Sequence, residues 1–218
     1  MDKIKKTYFI NLNKRKDRLN HILNEFVKIN YSNYARVEAV ETEFGGLGCC
    51  QSHLRLLELV QKEYFGQNND SINEKIIIMI MEDDAEFMMS KDVMDRYINL
   101  FIEDEKADAM CLDYNVRMFC DYNEDFKRAL HTCSTCCYLV KVNSPNNVLG
   151  KLIECFRKSE KGLLNVKHNL DPNYHRYAID QTWKSVQQNS LWLLPMERCV
   201  CQYTNYSDIS KQVENRTI

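Results

Sequence analysis

Residues 75–84 read Lys-Ile-Ile-Ile-Met-Ile-Met-Glu-Asp-Asp. The six apolar side chains of 76–81 leave no polar face, so the segment predicts a strand buried on both sides, as at the centre of a parallel sheet. At Glu82 the character inverts. A carboxylate directly after a buried strand has no packing role, and three in succession repel one another unless a cation stands among them. The expected type is Mn²⁺ or Mg²⁺, hard ions that take carboxylate and phosphate oxygens. Along an extended chain Glu82 and Asp84 point one way and Asp83 the other. Either Glu82 and Asp84 face the ligand, or Asp83 and Asp84 do if the chain turns there. The bland alternative is a solvated acidic turn; the greasy strand before it tips the balance towards a metal.

Outward from this strand the pattern alternates. Residues 7–12 predict a strand. Residues 15–29 predict a helix with Leu19, Ile22, Leu23, Phe26 and Val27 on one stripe. A short strand over 34–40 follows, then a turn at Gly45-Gly46-Leu47-Gly48, then a helix to about residue 63 carrying Leu54, Leu57 and Val60. Residues 67–73 read as a polar loop. Beyond the acidic triplet come a helix over 91–101, a short strand over 109–112 ending in Asp113, and a strand over 136–142. Ser144-Pro145 predicts a helix start reaching to about 157. Residues 165–177 read as loop, 178–188 as helix, 191–194 as strand and the last fifteen as an irregular tail. This predicts an α/β fold, a mainly parallel Rossmann-like sheet flanked by helices. It fits one domain over 1–218, with a donor-binding part to about 115 and an acceptor-side part after it.

Composition narrows the classes. The chain has 218 residues, 44% hydrophobic and 28% charged, with a net charge of -2. That mix excludes disordered, collagen-like and coiled-coil classes. With no basic surplus and no basic patch, nucleic acid is not an expected partner. No apolar run reaches spanning length, so no integral membrane segment is expected. The charged start Met1-Asp2-Lys3-Ile4-Lys5-Lys6 lacks a signal-peptide core, and the expected location is cytoplasmic. Ten cysteines then read as reduced thiols, many of them small hydrophobes in strands. Cys133, Cys136 and Cys137 with Cys199 and Cys201 allow a rival reading, a zinc-stabilised binding module.

In an open α/β sheet, ligands bind beyond the carboxyl ends of the strands. There the sequence places Lys14-Arg15-Lys16-Asp17-Arg18 at a helix start, a setting suited to diphosphate. By itself the cluster is better explained as a solvated helix face that balances nearby acids. Three blocks, Asn11-Leu12 with Arg15 and Arg18, Gly45-x-x-Gly48-Cys49-x-x-Ser52-His53, and Met81-Glu82-Asp83-Asp84-Ala85, occur in the order seen in glycosyltransferase family 25. Ala178-Ile179-Asp180 with Trp183, and Gln202 with Ser207-Asp208-Ile209, resemble its later blocks. That family includes lipopolysaccharide, lipooligosaccharide and collagen galactosyltransferases, and the resemblance runs from about residue 7 to 209. Cys50 beside Cys49 departs from its pattern.

The resemblance implies a GT-A-like fold, Mn²⁺ or Mg²⁺, and inverting transfer of galactose or glucose from a UDP-sugar to a hydroxyl acceptor on a glycan, glycolipid or protein. Glu82, Asp83 and Asp84 then take the place of the DxD-type motif. Asn11, Leu12, Arg15, Arg18, Ser52 and His53 contact the donor, unless His53 is a structural histidine. Inversion needs a carboxylate to accept the acceptor proton. Asp180 is the candidate, with a helix cap as its alternative, and Asp113 is the fallback. His175 is a candidate third metal ligand with Glu82 and Asp84, and Arg176 a phosphate contact. Tyr177 and Trp183 either stack on sugar or belong to the core. The rival enzyme is a metal-dependent nucleotidyltransferase, which should carry a glycine-rich loop where this chain has Asn11-Leu12-Asn13. A catalytically inactive module on the same fold is the third reading.

Overall fold

The computed structural model describes residues 1–65, 75–168, 170–207, 209 and 212–214. The loop expected over 67–73, and Asp208 of the last motif block, lie outside the described residues. The elements, in chain order, are β1 (Lys6–Asn11), α1 (Lys16–Lys28), β2 (Tyr34–Glu38), α2 (Gly45–Phe65), β3 (Ile77–Glu82), β4 (Ala85–Phe87), α3 (Lys91–Glu103), β5 (Ala109–Cys111), β6 (Asn115–Asp121), β7 (Phe126–Cys133), β8 (Cys137–Lys141), α4 (Val148–Leu163), α5 (Pro172–Tyr177), α6 (Ile179–Thr182), α7 (Lys184–Gln188), β9 (Trp192–Pro195), β10 (Val200–Gln202), β11 (Asn205–Ser207) and β12 (Gln212–Glu214).

Eight strands form one sheet in the order β2-β1-β3-β8-β5-β9-β7-β6. β1 lies parallel to β2 and β3, and β5 parallel to β9. The α/β class and the parallel first half are as expected. The sheet as a whole is mixed, because β8 enters antiparallel between β3 and β5 while β7 and β6 close the far edge antiparallel. The chain between β5 and β8 is spent on the β6–β7 hairpin, so no helical crossover returns it in the parallel sense.

β3 is covered on both faces, as its composition demands. Ile78 and Ile80 pack with Leu54, Leu57 and Val60 of α2 and Leu152 and Phe156 of α4. Ile77, Met79 and Met81 pack with Ile22 and Phe26 of α1 and Met94, Ile98 and Phe101 of α3. This alternation positions the site, because it continues past the last apolar residue.

Some local expectations are revised. The glycines expected as a turn form the first turn of α2. A Cβ on Gly48 would lie 2.5 Å from the Val40 carbonyl oxygen, and one on Gly46 would lie 2.5 Å from the Phe44 ring. Glycine is therefore used for close approach. Val27 is exposed, so the α1 stripe ends at Phe26. Ser144-Pro145 makes a turn before α4. Asn147 caps that helix from a left-handed conformation and accepts from the Gly150 N–H, while Ser144 Oγ accepts from the Val148 N–H. The helix over 178–188 divides into α6 and α7 about the fully buried Trp183. The stretch read as loop contains α5, and the tail contains the β11–β12 hairpin. Among the described residues no helix is long and apolar enough to cross a membrane.

Candidate functional site

β1 and β3 run parallel, and both end at one cleft of about 430 Å³. Leu12, Arg15, Arg18, Ser52, His53, Glu82, Asp83, Asp84, His175 and Asp180 all line it. Residues from 10 to 209 thus meet in one concavity, of the size that takes a small organic ligand.

The pleat of β3 deals the acids to different partners. Glu82 follows the parity of Ile78 and Ile80 towards α2. There His53 Nε2 lies 3.2 Å from its Oε1, and Thr135 Oγ1 donates to the same oxygen at 2.7 Å. Asp83 follows Met81 towards α1, accepting from Asn11 Nδ2 at 2.7 Å and Arg18 Nη1 at 3.1 Å. The chain turns at this point, so Asp84 joins Asp83 on Arg18, 3.1 Å from the same Nη1. All three acids keep a place on the cleft wall, Glu82 on the α2 side and Asp83 with Asp84 on the Arg18 side. The cation that relieves the Asp83–Asp84 repulsion is a guanidinium of the chain itself.

Electrostatics follow these contacts. Burial opposes the Glu82 charge, yet the His53 hydrogen bond and charge, with Thr135 and Arg18, hold its carboxyl below the usual glutamate range. Burial pushes Asp83 up, against the pull of Arg18 and Asn11. Burial also opposes the Arg18 charge, but Asp84 and Asp83 outweigh it and hold the group above its ordinary value. Burial raises Asp180, opposed by hydrogen bonds from Gln181 and the Ser134 backbone.

Several candidates serve other groups. Arg15 is nearly buried and forks onto Asp17 at 3.0 and 2.8 Å. Both Arg15 and Arg18 also donate to the Tyr206 carbonyl, at 3.1 and 2.8 Å, so β11 straps over the basic cluster. Asn11 does not line the cleft; besides Asp83 its amide donates to the Arg15 carbonyl and accepts from Arg36. Its side chain positions Asp83 and is not part of the cleft wall, where the sequence reading expects it. The Ser52 hydroxyl accepts from Val40 N–H and donates to Gly48 O, bracing the start of α2. Asp113 is also off the cleft wall, holding the Ser134 hydroxyl and lying 3.8 Å from Arg198. The fallback base read from sequence is thus buried away from the cleft. It instead anchors Ser134, a non-glycine residue at φ 81 whose backbone N–H serves Asp180. Trp183 is core: its indole donates to Thr132 O at 2.8 Å and packs on Tyr138 and Trp192.

The expected metal ligands do not gather into one group. His175 is exposed on α5 along the same cleft, but it does not close with Glu82 and Asp84. Among the described residues the group of ligand atoms within 4.8 Å of one another is Cys49, His53 and Glu82. The thiols of the zinc-module reading do not assemble there; Cys136 and Cys137 are core, and burial pushes both thiols up. Thr135, Ser134, Tyr138 and Tyr206 carry no signal in the sequence, because they act through side chains, a backbone N–H or a carbonyl on segments without a motif.

No protein-family model matches the chain, and no curated protein matches it. Solved structures do. A glycosyltransferase involved in the glycosylation of the major capsid of PBCV-1 is 8% identical, with 88% of this chain and 92% of that one covered and a TM-score of 0.43. The protein A197 from STIV is 8% identical, with 97% and 100% covered and a TM-score of 0.43. The nucleoside-diphosphate-sugar pyrophosphorylase from Vibrio cholerae RC9 is 10% identical, with 87% and 72% covered and a TM-score of 0.37. Likeness at these scores carries no argument about what this chain does. The family 25 blocks stay a resemblance of motifs, and the chemistry is read from the cleft.

Proposed function

We propose that the chain is a glycosyltransferase that moves a hexose, galactose or glucose, from a UDP-sugar to a hydroxyl acceptor with inversion. One observation carries this reading. Three carboxylates at the end of the central strand share a cleft with two arginines and with a fourth, burial-raised carboxylate on another element. A nucleoside diphosphate needs the first group and an acceptor hydroxyl needs the last.

The residues suit the expected divalent ion: Glu82 and Asp84 offer oxygen donors on the cleft wall, the kind Mn²⁺ or Mg²⁺ takes beside phosphate. Such an ion supplies electrostatic stabilisation of the diphosphate charge. Arg18 pairs with Asp83 and Asp84, and with Arg15 it brings guanidinium groups to the cleft where the phosphates would lie. His53 and Thr135 fix the Glu82 carboxylate. Asp180 accepts the acceptor hydroxyl proton as that oxygen bonds the anomeric carbon. The anomeric carbon–phosphate oxygen bond breaks, and its electron pair leaves with the diphosphate. A raised carboxyl is better matched to that proton than an ordinary aspartate.

The test is thermal stabilisation by a panel of nucleotide sugars, with and without Mn²⁺. The expected result is a metal-dependent shift confined to one base and one hexose. Equal shifts for all nucleotides, or none, overturn the reading.

A further inference from the structure

We propose that Cys49, His53 and Glu82 form a transition-metal site on the cleft wall that takes Zn²⁺ in preference to Mg²⁺ or Mn²⁺. Cys49 and His53 stand four residues apart on α2, so they share a face. Glu82 closes β3 against that face. The candidate ligand atoms of all three lie within 4.8 Å of one another. Small side-chain adjustments bring them onto one ion at Zn–S about 2.3 Å and Zn–N about 2.0–2.1 Å.

The surroundings orient these ligands. His53 is buried, and its Nδ1 lies 3.1 Å from the Tyr138 hydroxyl, with the two rings stacked. Without metal, Nε2–H donates to Glu82 and Nδ1 accepts from the Tyr138 hydroxyl. An ion on Nε2 would displace that proton, and the other tautomer, with Nδ1–H donated to Tyr138, then frees the Nε2 lone pair for it. Thr135 fixes the Glu82 carboxylate from the other side at 2.7 Å. The donor set is one sulfur, one nitrogen and one oxygen. Mg²⁺ and Mn²⁺ prefer all-oxygen surroundings, whereas thiolate and imidazole select Zn²⁺. Three protein ligands leave a fourth tetrahedral position, and all three residues line the cleft, so that position opens into it.

This site differs from the hard-cation set of Glu82 and Asp84, and it stands whether or not the cleft transfers sugar. One consequence does rest on the transfer reading: Zn²⁺ takes Glu82 from the hard cation and so inhibits Mn²⁺-dependent turnover.

The test is titration of the purified full-length protein with Co²⁺, read by thiolate-to-cobalt charge-transfer absorption, and with Zn²⁺ against a competing chelator. Wild type should bind one equivalent with the absorption band. Cys49→Ser should lose the band and weaken Zn²⁺ binding more than about tenfold. Cys120→Ser, which changes an exposed thiol outside the cluster, should behave as wild type. A full band in Cys49→Ser, or no stoichiometric binding by wild type, overturns the site. Should Cys49→Ser fail to fold, alkylation of wild type read by mass spectrometry decides. Zn²⁺ should protect Cys49 and leave Cys120 reactive; equal labelling of Cys49 with and without Zn²⁺ contradicts the proposal.

Discussion

The Arg18 guanidinium lies 3.1 Å from both Asp83 and Asp84, so its removal strands two carboxylates where water has little access. Breaking a buried pair from one side costs about 3–5 kcal/mol. Arg18→Met should lose stability of that order in urea unfolding at neutral pH, and the loss should shrink in acid, where protonated carboxyls need no counter-ion. Asp180 makes a different prediction. Its folded carboxyl is raised by burial, and it must be ionised to accept a proton. Turnover should fall with decreasing pH through a limb above the ordinary aspartate range. Asp180→Asn should lose transfer about 10²-fold or more while still binding nucleotide; an unchanged rate places the base elsewhere. At this scale the acids and Arg18 were legible, because strand ends and helix starts announce themselves. Asp113 looked the same as Glu82 in sequence. Only the fold reveals that Ser134 and Arg198 take its oxygens. Ser52 was legible as a motif member but not as a brace, since its partners are backbone groups.

Among the elements, α2 is the most exacting. Its first turn lies against the 40–44 segment, where a Cβ on Gly48 would come within 2.5 Å of the Val40 carbonyl oxygen. Alanine gains roughly 0.5–1 kcal/mol of helix propensity over glycine, but forcing backbone apart costs about 1–3 kcal/mol. Gly48→Ala should therefore lower the melting temperature despite its better propensity; a rise would show that the segment yields freely. Because α2 also carries Cys49, Ser52 and His53, the same variant should disturb the cleft wall. β3, α1 and α3 were legible from composition and periodicity. β6 was not: every residue of it is exposed, so no alternation marks it as a strand. The three-residue strands β4, β10, β11 and β12 are too short for periodicity. The split of α6 from α7 is set by tertiary packing of Trp183.

For the whole molecule, the inserted β8 joins two parallel portions into one sheet and carries a buried lysine at its end. Burial, then the charge of Lys75, lowers Lys141 from 10.5 to about 8. The unfolded chain keeps that proton to about pH 10.4. Between those values the unfolded state binds more protons, so this group makes stability rise with pH across the window. Lys141→Met should flatten that rise in denaturant midpoints measured from pH 8 to 10; an unchanged slope removes Lys141 as its source. The α/β class was legible from the alternation of patterns. The antiparallel β8 was not, since its sequence is as apolar as that of a parallel strand. The central claim is that the acids at the end of β3 hold a metal-bound nucleotide sugar. The direct measurement is release of nucleoside diphosphate from UDP-galactose and UDP-glucose in Mn²⁺ by wild type and Asp84→Ala. Wild type should cleave one donor, and the variant, with Asp83 still pairing Arg18 and unfolding unchanged, should be slower by about 10²–10³-fold. Equal rates from the two proteins would contradict the account.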